Sequence, residues 1–174
     1  MIAGKETYLG ADLIEAYGAE VIIGNFSSIA DEVEFLGVAH HQNIRYRKCV
    51  TTYAFNNRLK LPTFYESAVS RNSDLTIRIG NDVWVGEKSL IMDGITIGDG
   101  AIIGTRAVIT KDVPPYAVVV GNPSVIKKYR FTPEQIESLL KIKWWDWDRE
   151  IIRERVEDFK DIDVFIKKYG NTTV

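Results

Sequence analysis

Cysteine is almost missing from this chain. Cys49 is the single one among 174 residues, so no internal disulfide can form and the composition suits a reducing, cytoplasmic setting. An excess of one charge is missing too. The 22 basic and 24 acidic residues leave a net charge of −2, which excludes whole-chain attraction to nucleic acid or an anionic membrane. No apolar run approaches the roughly 20 residues of a membrane span. The start, Met1-Ile-Ala-Gly-Lys-Glu, lacks the basic stretch and apolar core of a signal peptide. What remains is 45% hydrophobic and 26% charged, the balance of a soluble globular chain rather than a disordered or fibrous one.

A repeat dominates that composition. Aliphatic residues recur every six positions at Ile79, Val85, Ile91, Ile97, Ile103 and Ile109. Four places after each stands a small or aliphatic residue: Val83, Ser89, Ile95, Ala101, Ala107 and Val113. Glycine follows the lead position at Gly80, Gly86, Gly98 and Gly104. A helix of period 3.6 cannot hold residues six apart on one face, and an ordinary strand asks only for alternation. A fainter stretch repeats the spacing at Tyr17, Ile23, Ile29 and Phe35. These units resemble the hexapeptide repeat of the left-handed parallel β-helix, in which three units close one triangular coil. Residues 79–114 then supply two coils and residues 17–35 about one more. The hand follows from the resemblance, because parallel crossovers are ordinarily right-handed.

The register breaks between Phe35 and Ile79, and the interval contains both histidines, Cys49 and a polar, aromatic-rich segment. It reads as a loop inserted at about 36–78 into a β-helix domain of residues 1–131; long loops in compact domains usually carry function or disorder. Ala117 to Val120 reads as one more apolar strand, and Gly121-Asn122-Pro123 as the turn that ends it. Thr132-Pro133-Glu134-Gln135 has the signature of a helix start. Asp148 is placed to cap a second helix carrying Ile151, Ile152, Val156 and Phe159. Residues 132–174 thus form a helical tail, packed on the β-helix or on a neighbouring subunit. Trp144, Trp145 and Trp147 read as its packing anchors.

Ile79-Gly-Asn-Asp-Val-Trp-Val-Gly, Ile97-Gly-Asp-Gly-Ala-Ile-Ile-Gly and Thr110-Lys-Asp-Val-Pro-Pro-Tyr resemble the hexapeptide acyltransferases. Gly121-Asn-Pro, Tyr129-Arg-Phe and the Trp-Trp-Asp-Trp tail resemble the xenobiotic acetyltransferase branch, whose signature sugar acetyltransferases share. The resemblance covers about residues 20–160. It implies a homotrimer with active sites between neighbouring β-helices, acetyl-CoA as co-substrate, no metal, and a loop histidine as general base. Carried onto this sequence, it makes His41 the catalytic residue and places His40, Tyr53 and Phe55 at the acceptor. It assigns Trp84, Thr105, Ala107, Lys111 and Lys128 to the cofactor, with Lys127 beside them. Thr51-Thr-Tyr-Ala-Phe matches a family segment in which Ala54 replaces a proline, and Val125 stands where relatives often carry a basic residue.

The chemistry explains the histidine. In O-acetylation an alcohol must lose its proton while attacking the thioester, and in N-acetylation a neutral amine must shed one afterwards; imidazole, with a reference pKa of about 6.5, accepts either at neutral pH. Preorganised backbone N–H groups can hold the oxyanion of the tetrahedral intermediate. The resemblance favours a sugar or nucleotide-sugar of surface polysaccharide synthesis as acceptor. An antibiotic of the streptogramin or chloramphenicol type is the alternative, and a non-catalytic β-helix is the alternative of another class. A zinc hydratase on this scaffold needs three separated histidines, whereas this chain has two, adjacent.

Overall fold

The structure is a computed structural model that describes residues 1–16, 18–37 and 75–170. Among the described residues, fourteen short strands fall into four coils and a cap. The first coil is β1 (Ile2–Ala3), β2 (Tyr8–Leu9) and β3 (Ile14–Ala16). The second is β4 (Val21–Ile23), β5 (Ser28–Ile29) and β6 (Glu34–Leu36). The third is β7 (Ile77–Ile79), β8 (Trp84–Val85) and β9 (Leu90–Met92). The fourth is β10 (Thr96–Ile97), β11 (Ile102–Ile103) and β12 (Val108–Ile109). The cap is an antiparallel pair, β13 (Ala117–Val120) and β14 (Val125–Tyr129).

Corresponding strands of successive coils pair in parallel and make three sheets. Sheet one runs β1-β4-β7-β10, sheet two β2-β5-β8-β11-β13-β14, and sheet three β3-β6-β9-β12. The pairings stack Ile23 on Ile79 and Ile97, Ile29 on Val85 and Ile103, and Phe35 on Ile91 and Ile109. All nine are buried, and so is every fourth-place residue from Val83 to Val113. The six-residue period therefore builds one continuous apolar core. Where the fourth place is serine, the hydroxyl is satisfied locally: Ser27 donates to the Gly80 carbonyl at 2.9 Å and Ser89 to that of Gly86 at 2.8 Å.

The structure adds a coil the spacing did not reveal. Residues 2–16 pair beneath the second coil, but Glu15, not an aliphatic residue, stands in register with Phe35. Two extra residues before Val21 then shift the period, and Tyr17, taken as a lead position, lies outside the described residues. The inserted segment is also shorter than 36–78, because Leu36 pairs with Met92 and Ile77 with Val21.

The repeated glycines serve close approach rather than turn geometry. A Cβ on Gly86 would lie 2.5 Å from the Thr105 amide nitrogen of the next coil, a distance no real Cβ tolerates. The left-handed turn positions belong instead to Asp82, Lys88, Arg106 and Tyr116, along with Gly94 and Gly100.

Past the cap, α1 (Pro133–Ile142) opens with a complete capping box between Thr132 and Gln135, as its sequence implies. The second helix, α2 (Arg149–Arg155), is shorter than expected: Asp148 occupies its N-cap without a side-chain bond, and Phe159 lies in a separate 3₁₀ turn, Val156–Lys160. A third helix, α3 (Ile162–Tyr169), starts at Asp161, whose carboxylate accepts from the amides of Asp163 and Val164. Among the described residues the tail packs on its own β-helix. Trp145 is buried with Tyr116, Leu139, Ile142 and Phe165, Trp144 meets Phe26 with ring centres 5.1 Å apart, and Lys5 donates to the Trp147 carbonyl at 3.0 Å.

Candidate functional site

The outer face of sheet two carries Trp84 and Lys128, two of the residues assigned to the cofactor. Register places Tyr8, Ser28, Trp84, Ile102, Val118 and Lys128 in one row across the sheet. Their neighbours along each parallel strand point into the core, so these side chains point outward by strand alternation. Trp84 is 45% exposed on this face, a large aromatic surface that folding leaves uncovered. Val120, Val125 and Ile126 extend the exposed apolar surface at the capped end. Lys127 and Lys128 lie beside them on β14 and are also exposed. The row is thus an apolar track that ends in cations.

Thr105 lies at the corner between sheets two and three, exposed beside Arg106. One coil below, Lys88 is held between Glu32 at 3.1 Å and Glu87 at 2.8 Å. Hydrogen bonds to Glu87 and then Glu32 push its pKa above the ordinary lysine value. By contrast Lys111, Lys127 and Lys128 form no ion pair among the described residues. Unpaired surface lysines remain available to an anionic ligand.

Two of the assigned residues lie away from this row. Ala107 is wholly buried in the coil interior, and its carbonyl accepts from the Leu90 amide at 2.9 Å. Its methyl group fills the core and does not line a surface path. Lys111 is exposed, but it follows β12 at the far end of sheet three. One protomer therefore does not bring Lys111 to the face that carries Trp84 and Lys128. His40, His41, Tyr53 and Phe55 lie outside the described residues. Sequence reading also missed the neighbours of Trp84, Ile102 and Val118; adding 18 to Trp84 along the repeat would have found the first.

No group of three side chains suited to a metal ion occurs among the described residues, and no helix among them is long and apolar enough to cross a membrane.

The comparisons agree with the geometry. Residues 76–111 match the family model described as bacterial transferase hexapeptide (six repeats). A chloramphenicol acetyltransferase of Agrobacterium fabrum is 41% identical over 144 residues, which are 81% of this chain and 67% of that one. A probable macrolide acetyltransferase of Lysinibacillus sphaericus is 39% identical over 149 residues, 82% of this chain and 78% of its own length. Among solved structures, a galactoside acetyltransferase in complex with coenzyme A superposes with a TM-score of 0.50 at 27% identity, covering 75% of this chain and 60% of that one. The shared fold makes the coil the left-handed parallel β-helix expected from the repeat. The chain spans 67% or 63% of the length of the chloramphenicol acetyltransferases it matches.

Proposed function

We propose that this chain, which belongs to the hexapeptide-repeat acetyltransferase family, is itself an acetyltransferase that moves an acetyl group from acetyl-CoA to a hydroxyl or amino group of a small acceptor. The observation that carries the reading is the outward row of sheet two. A half-exposed tryptophan and aliphatic neighbours suit a pantetheine arm, and the unpaired lysines at the capped end suit phosphates. That donor set fits acetyl-CoA. The neighbour solved with coenzyme A supports the same choice of co-substrate.

In the reaction the acceptor oxygen or nitrogen bonds to the acetyl carbonyl carbon and its proton passes to the His41 imidazole. The carbon–sulfur bond then breaks, and the departing thiolate takes up that proton. Holding acceptor and thioester together supplies much of the rate, and no acyl-enzyme is needed. His40, Tyr53 and Phe55 contribute to the acceptor side, and Thr105, Lys111 and Lys128 to the cofactor side.

A sugar or nucleotide-sugar of surface polysaccharide synthesis is the first acceptor class, supported by the galactoside acetyltransferase likeness. An antibiotic acceptor is the second, favoured by the names of the relatives at 41% and 39% identity. All these molecules present free hydroxyls, which is the chemistry they share. A thiol-release assay with acetyl-CoA against free sugars, nucleotide sugars, chloramphenicol and a macrolide separates the classes. Release above the acceptor-free rate with sugars alone supports the first; release with the drugs alone supports the second.

Because Lys111 and Trp84 lie on different faces of one protomer, the reading requires a neighbouring chain to complete the groove, and the assembly is a homotrimer in the cytoplasm. Sedimentation should show a three-chain species; a stable monomer would remove the shared-groove account. Lys111→Ala and Lys128→Ala should each weaken acetyl-CoA by roughly 1 kcal/mol at low salt, the scale of an exposed charge-assisted contact. Unchanged calorimetric affinity in either variant removes that lysine from the site.

A further inference from the structure

Asp82, Gly100 and Tyr116 occupy one corner, between sheets one and two, at three successive levels of the coil. Each has a left-handed backbone, with φ of 55°, 69° and 57°. Each stands two residues before a member of the outward row: Trp84, Ile102 and Val118. Arg130 joins all three. Its amide donates to the Tyr116 carbonyl at 2.9 Å. Its Nη1 donates to the Gly100 carbonyl at 2.7 Å and to Asp82 Oδ2 at 3.0 Å. The guanidinium also lies over the Tyr116 and Phe131 rings, 5.3 and 5.2 Å from their centres. The side chains of the Arg130–Asp82 pair are 26% and 27% exposed, so solvent screens this pair less than one on the open surface.

Arg130 lies two residues after Lys128, the cation of the row. Strand β14 has little else to hold it. Its five residues are all exposed, so burial does not fix its register. Its ladder with β13 is also irregular: Lys128 pairs with Val118 and Ile126 with Val119, which leaves Lys127 opposite no residue of β13. A slip of one residue there turns Lys128 off the row and brings Lys127 onto it, because successive residues of a strand face opposite sides. Such a slip also draws Arg130 away from the three corner residues, so the clamp opposes it. The same clamp ties β14 to the corner that leads into Trp84.

We propose that Arg130 is a positioning residue for the co-substrate: it holds Lys128 against the Trp84 row, so that one ligand meets the tryptophan with its arm and the lysine with a phosphate. The inference rests on the acetyl-CoA reading given above. Arg130 acts through Lys128 and not by contact with the ligand.

Calorimetry at low salt tests it with two ligands, acetyl-CoA and S-acetylpantetheine, which keeps the arm and thioester and lacks every phosphate. Arg130→Met should weaken acetyl-CoA about fivefold, the loss expected for Lys128→Ala, and change S-acetylpantetheine by less than about twofold. In the Arg130→Met background, Lys128→Ala should produce no further loss, because two residues that serve one contact do not add. Arg130→Lys keeps the charge without the planar fork, and Asp82→Asn removes the ion pair; each should show a smaller loss of the same kind. These two variants carry the test if circular dichroism shows Arg130→Met to be unfolded. Unchanged acetyl-CoA affinity in folded variants, equal losses on both ligands, or a loss that adds fully to that of Lys128→Ala overturns the proposal. A native protein that binds acetyl-CoA no more tightly than S-acetylpantetheine contradicts the cofactor reading itself, and this inference falls with it.

Discussion

Replacing His41 with alanine should lower kcat by roughly a hundredfold or more, the usual scale for loss of a general base. Acetyl-CoA binding should survive, because the imidazole acts on the acceptor's proton and does not hold the cofactor. The proposal gives His40 a separate task on the acceptor side. His40→Ala should keep substantial turnover and change acceptor affinity. Steady-state kinetics with cofactor titration on both variants decide it. An active His41→Ala protein beside an inactive His40→Ala protein reverses the assignment, and two active variants remove histidine from the mechanism.

Trp145→Ala should destabilise the protein by about 3–5 kcal/mol, the range for emptying a buried aromatic site. Trp145 is 2% exposed and packs in a core shared by the β-helix corner, through Tyr116, and the tail, through Leu139, Ile142 and Phe165. Its carbonyl also accepts from Asn25 Nδ2 at 3.4 Å. That core is distinct from the stacked aliphatic core of the coils, so the loss should fall first on the docking of the tail. Urea unfolding followed by circular dichroism measures it. A loss of about 0.5 kcal/mol or less, the range of an ordinary surface change, would mean that Trp145 is not an anchor.

The coils were legible because each turn of the β-helix must bury the same two positions, and Ile79 to Ile109 state that rule without interruption. The first coil was not legible: Ala3, Leu9 and Glu15 occupy its lead positions, and two extra residues displace the next coil. Strand β14 escaped notice because its five residues are all exposed; an edge strand that buries nothing has no periodic signature. Among site residues, Trp84 and Lys128 share one row because the sheet aligns β8, β11, β13 and β14. Ala107 fell inside because the fourth place of every unit belongs to the core, a rule the repeat itself states. The Asp82–Arg130 pair joins residues 48 apart, and no local pattern marks it. What the repeat cannot encode is the segment carrying His40 and His41, since it follows no period.

The most direct test is a crystal structure of the protein with coenzyme A. The pantetheine arm should lie along the outer row of sheet two beside Trp84, Ile102 and Val118. Its phosphates should meet Lys128, with Lys111 supplied by a neighbouring chain, and its thiol should end beside His41. Coenzyme A bound away from the Trp84 row, with that face of sheet two left bare, would contradict the account.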